Sequence, residues 1–111
     1  GDVYKRQRLW REMSEYLSTD TETSQWLSGL LASTSRSFIR DGIADDQVSV
    51  RNKAGWFSED GCYSTCDAGL IDVDGHSYVM SIMTSMPWSD QSSEAVAAIA
   101  KALYDVRSSL A

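Results

Sequence analysis

Leu9, Trp10, Met13, Tyr16 and Leu17 recur at spacings of three and four, with charged residues between them, and predict an amphipathic helix over residues 8–18. Thr19 and Glu22 have the spacing of a capping box, and Trp26, Leu27, Leu30 and Leu31 form a second apolar stripe, so a helix is expected over about residues 21–33. On this pattern Trp10 and Trp26 belong to the core. Residues 35–47 are polar apart from Phe38, Ile39 and Ile43. They read as a loop with one helical turn, anchored by those three side chains.

The period then changes to two. Strands are expected over residues 48–57, 63–73 and 78–85, with Asp74-Gly75 as the hairpin turn between the last two, and pairing as an antiparallel meander. Pro87 ends the third strand, because it has no N–H for the ladder. Beyond it, residues 90–93 offer N-cap side chains, and Val96, Ile99, Leu103, Val106 and Leu110 mark the apolar stripe of a terminal helix, with Tyr104 also on a helical stripe and read as core. The expected fold class is α+β: two N-terminal helices, an antiparallel sheet of about three strands, and a C-terminal helix packed on it.

Composition narrows the function. A net charge of −6 and a pI near 4.5 argue against binding nucleic acid or an anionic membrane surface, both of which need clustered Lys and Arg. No run approaches the roughly 18 apolar residues of a membrane span, so no membrane contact is expected from this segment. Cys62 and Cys66, four apart in an extended strand, would lie about 13 Å apart, against under about 7 Å for a disulfide. Two thiols and one distant histidine, His76, fall short of a zinc site, so no metal or other cofactor is expected. His76 itself reads as a turn residue, not a base.

Residues 2–7, Asp-Val-Tyr-Lys-Arg-Gln, look like the translation of a sequencing-library adapter. Residues 1–7 are accordingly expected to be an artefactual tail, and the chain to begin inside a longer gene.

The chemistry concentrates at one place. Lys53-Ala54-Gly55, followed by Trp56, sits in the first expected strand; Asp67-Ala68-Gly69 lies early in the second; and Asp74-Gly75 leads into Tyr78-Val79-Met80. In this order, with a terminal helix behind them, these elements resemble the C-terminal part of the class A β-lactamase and penicillin-binding serine hydrolases. Residues 8–111 would then be the C-terminal part of such a domain. That family carries S-x-x-K, S-D-N and K-T-G elements. Only the third has a counterpart here, with alanine in place of the hydroxyl residue.

The resemblance implies an acyl-serine mechanism on a β-lactam or a peptidoglycan-type peptide, in an extracytoplasmic setting. The nucleophile would lie in a missing N-terminal half of the same domain. Lys53 would be catalytic and, with Ala54 and Gly55, substrate-binding; the Trp56 backbone N–H would form half of the oxyanion hole. Asp67 would be either a polar residue of the active-site sheet or an acceptor for neighbouring backbone N–H groups. Losing the hydroxyl at position 54 costs on the order of 1.5–3 kcal/mol, or roughly one to two orders of magnitude in rate. A non-catalytic domain for cell-wall binding or partner contact is the alternative.

Overall fold

The computed structural model describes residues 2–110 and is α+β. Helix α1 spans Asp2–Leu17, α2 Glu22–Ala32 and α3 Phe38–Ile43. Strands β1 (Ser49–Glu59), β2 (Cys62–Val73) and β3 (His76–Thr84) follow, then α4 (Asp90–Asp105) and a short 3-10 turn, Arg107–Ser109.

The three strands form an antiparallel meander in the order β1-β2-β3, so β1 and β3 are both edges. Two hairpins of the same kind fix the register. Glu59 faces Cys62 around Asp60-Gly61, and Val73 faces His76 around Asp74-Gly75, each pair of turn residues at positive φ. These are the two-residue turns whose twist matches that of the flanking strands. The sequence pattern singled out only the second; the first carries the same dipeptide and extends β1 to Glu59. His76 opens β3 directly after its turn.

Side chains alternate between two faces. Val50, Ala54, Ile71, Val73, Met80 and Ile82 join Phe38, Ile39 and Ile43 of α3 and Val96, Ala100 and Tyr104 of α4 in the larger core cluster. On the opposite face Ala68 and Leu70 pack with Trp10 and Leu17 of α1, flanked by Leu27 and Leu31 of α2. Gly69 is set by this packing: a Cβ there would lie 2.2 Å from the Arg51 carbonyl oxygen, so only a residue without a side chain lets β1 and β2 pair at this point.

Four expectations are corrected. The first helix starts at Asp2 and not at residue 8, and Arg6 within it donates to the Cys66 thiol at 3.4 Å. The capping box of α2 uses Thr21 and Ser24, each side chain bonded to the other's backbone N–H; Thr19 instead closes α1 by donating to the Tyr16 carbonyl. Trp26 is 65% exposed and outside the core, because α2 buries only the Leu27–Leu31 side of its stripe. In α4, Val96 is buried, whereas Ile99 and Leu103 are exposed, and Val106 and Leu110, also exposed, lie beyond the end of the helix at Asp105; the face turned inward is Ser92, Val96, Ala100 and Tyr104. The cause is α3, which lies so close that a Cβ on Gly42 would meet the Ala97 carbonyl oxygen at 2.1 Å. The two helices therefore meet closely at Gly42 and Ala97, and Ile99 and Leu103 lie outside the buried face.

Candidate active site at the open edge of β1

A two-residue hairpin makes its flanking residues a hydrogen-bonded pair, so Glu59 and Cys62 exchange bonds. The register runs unbroken to Ser49 and Asp72. Strict alternation then directs Ser49, Arg51, Lys53, Gly55 and Phe57 into the ladder, and turns the N–H and C=O groups of Val50, Asn52, Ala54 and Trp56 outward. Two observed bonds agree. The Val50 carbonyl accepts from Arg40 at 2.8 Å, and the Ala54 carbonyl accepts from Lys53 Nζ at 2.6 Å. The Trp56 N–H therefore faces the open edge, the orientation an oxyanion donor needs.

Lys53, Ala54 and Trp56 line one open pocket of about 260 Å³ with Thr34, Ser35 and Arg36 from the loop before α3. Lys53 is exposed, and its ammonium bonds the neighbouring carbonyl with no acidic partner among the described residues. Ala54 is buried; its methyl group joins the α3–α4 core cluster. A Cβ on Gly55 would come 3.3 Å from the Cys66 sulfur, so its missing side chain makes room for a thiol on the next strand. Cys62, exposed, and Cys66, buried, are free thiols, with Cys66 donating to the Gly55 carbonyl.

A buried polar network holds the loop against β1. Asp67 is fully buried and accepts from the Ile39 N–H at 3.1 Å, from Asn52 Nδ2 at 2.8 Å and from the Ser37 hydroxyl at 3.5 Å. Of the two roles read for it, this is the acceptor of backbone N–H groups. Burial pushes its carboxyl above the ordinary value of 3.8, and the bonds from Asn52 and from Ile39 and nearby backbone only partly counter that. Asn52, also fully buried, gives its other amide hydrogen to the Arg36 carbonyl and takes bonds on Oδ1 from Thr34 and Arg40. Arg40 adds bonds to the Thr34 and Ala32 carbonyls. Every polar atom of the Asn52 amide is thus used, and residues 34–37 are pinned beside Lys53.

The outer rim is aromatic. Trp56 and Trp88 stack with ring centroids 4.9 Å apart and planes 26° from parallel, and the Arg36 guanidinium carbon lies 5.9 Å and 5.1 Å from their respective centroids. Trp88 arrives on the loop after β3, which Thr65 fixes by donating to the Met86 carbonyl. Arg36 and Trp88 carried no signal in the sequence pattern; only the fold brings them to Trp56. Among the described residues no serine hydroxyl bonds a lysine or histidine, and no group of three His, Cys, Asp or Glu residues is arranged to hold a metal. No described helix is long and apolar enough to cross a membrane.

No curated protein matches the chain. A family model does: that of the Beta-lactamase enzyme family matches residues 7–106. The lysine-glycine strand edge, the α+β frame around it and this match over most of the chain agree, and the protein belongs to the beta-lactamase enzyme family.

Proposed function

We propose that this chain is the strand-edge half of a serine hydrolase of the β-lactamase or D,D-peptidase type, with the nucleophile on a preceding part of the same domain. The carrying observation is the outward Trp56 N–H beside an ammonium with no acidic partner among the described residues. In the reaction, a serine hydroxyl attacks the carbonyl of a β-lactam or cell-wall peptide, its proton passing to a neighbouring base. The carbonyl oxygen gains negative charge, which the Trp56 N–H stabilises together with the serine's own N–H. Collapse breaks the C–N bond as the base returns the proton to the nitrogen, which departs as an amine from a peptide or stays tethered in an opened β-lactam, and the acyl-serine left behind is cleaved by water. Lys53 adds a positive charge that draws the substrate's carboxylate to the edge. Substrates of this kind make an extracytoplasmic setting the natural one.

A second reading, a non-catalytic domain that binds cell wall or a partner, is favoured by Ala54: the triplet has no hydroxyl, and its methyl packs in the core. The two separate on the complete gene. Covalent labelling by a fluorescent penicillin, abolished when the serine of an upstream S-x-x-K is changed to alanine, supports the hydrolase. Absence of any S-x-x-K upstream, or labelling that survives the change, refutes it.

A further inference from the structure

Arg36 differs from the arginines around it. Arg40 is occupied by three carbonyls and by Thr34 and Asn52 side chains, and Arg51 by Asp72 and Ser28. The Arg36 guanidinium is exposed and lies over Trp56 and Trp88 without a hydrogen-bond or ion-pair partner among the described residues. A guanidinium held by aromatic faces keeps its N–H fork free, since the donors lie in its own plane, and that fork matches the two oxygens of a carboxylate.

The pocket's charge points the same way. Among the described residues Arg36 and Lys53 are its two cations and no acid lines it, in a protein whose net charge is −6. The surrounding hydroxyls, Thr34 and Ser35, are neutral donors. Trp56 and Trp88 are 44% and 42% exposed, so indole surface remains for a second flat group beside the arginine.

We propose that Arg36, mounted on the Trp56–Trp88 stack, binds the carboxylate of ligands that carry a planar aromatic group close to it, supplying the anchor that Ala54 lacks. This deepens the hydrolase reading and rests on it for the identity of the natural carboxylate. The binding itself needs no nucleophile.

The test uses the 111-residue chain and three small probes: phenylacetate, its neutral counterpart phenylacetamide, and acetate, which has no ring. Two-dimensional NMR of the four indole N–H groups reads binding residue by residue. Phenylacetate is expected to shift the Trp56 and Trp88 signals saturably and to leave Trp10 and Trp26 in place. Phenylacetamide and acetate should each bind at least about tenfold more weakly, the factor corresponding to one charge-assisted hydrogen bond. Arg36→Gln, with an otherwise native spectrum, should bind phenylacetate no better than phenylacetamide; Arg36→Lys, which keeps charge without the fork, should fall between. Equal binding of phenylacetate and phenylacetamide by the native chain, or unchanged phenylacetate affinity in Arg36→Gln, overturns the proposal. Failure of penicillin labelling in the complete enzyme would instead strike the hydrolase reading and leave this binding result untouched.

Discussion

Asp67→Ala removes the acceptor on which β1, β2 and the start of α3 converge. The carboxylate is fully buried, and the change strands the Ile39 N–H and one of the two Asn52 Nδ2 hydrogens, now bonded at 3.1 and 2.8 Å. A buried donor left without an acceptor costs about 1–3 kcal/mol, so two cost about 2–6. Relief of the burial that raises the Asp67 pKa offsets part of this, and the expected net loss is about 2–4 kcal/mol. For a domain of this size that lowers Tm by about 10–25 °C. Urea unfolding followed by tryptophan fluorescence measures the loss, and its pH dependence tests the cause. Because the folded pKa is raised, the native state holds the Asp67 proton more tightly than the unfolded state does. Its contribution is therefore fully present below the ordinary value of 3.8 and declines as pH rises through the higher folded value. The gap between native and variant should narrow from acid toward neutral pH. A gap that widens over that range would refute the reasoning, since the hydrogen bonds would then outweigh burial. A loss below about 1 kcal/mol would refute the network's structural role.

Two glycines should respond in opposite directions. Gly29→Ala in α2, where a Cβ meets nothing within 4 Å, should raise stability by about 0.5–1 kcal/mol, while Gly42→Ala should cost about 1–3 kcal/mol as α3 is pushed off the Ala97 carbonyl; thermal melts of both variants check the pair. The 111-residue chain alone should not turn over a chromogenic cephalosporin, for want of a nucleophile against a base, and hydrolysis proportional to chain concentration would contradict this.

The sheet was legible because its signals are local. Alternation marked all three strands, and Asp74-Gly75 fixed one turn through backbone conformation alone. The helix faces were less so. An apolar stripe tells which side of a helix could be buried, and the neighbour decides which side is: close approach of α3 at Gly42 selected Val96, Ala100 and Tyr104 of α4 over Ile99 and Leu103. The site divides the same way. Lys53-Ala54-Gly55 could be read as a contiguous triplet, whereas Arg36 and Trp88 lie on two loops far from it in the chain and from one another. What hid them is that their partner, Trp56, is shared only in three dimensions.

The parity of β1 explains how one short strand serves both core and site. Val50, Asn52 and Ala54 send buried side chains toward α3, while the peptide groups of those same residues and of Trp56 face the open edge. Lys53 has the opposite parity: its side chain starts on the α1 side, beside Trp10 and Met13, and Nζ comes round the edge to reach the Ala54 carbonyl. Chemistry here is therefore assembled along an edge, with main-chain donors from the even positions and charge from an odd one. A side-chain change at position 54 or 56 acts first on packing and leaves the outward N–H in place. On the proposed reading, the alanine of the triplet removes a hydroxyl and leaves the outward Trp56 N–H in place, so a carboxylate anchor would come from another segment of the chain. Arg36, pinned beside β1 by Asn52 and laid over the tryptophans, is the side chain in position to give it.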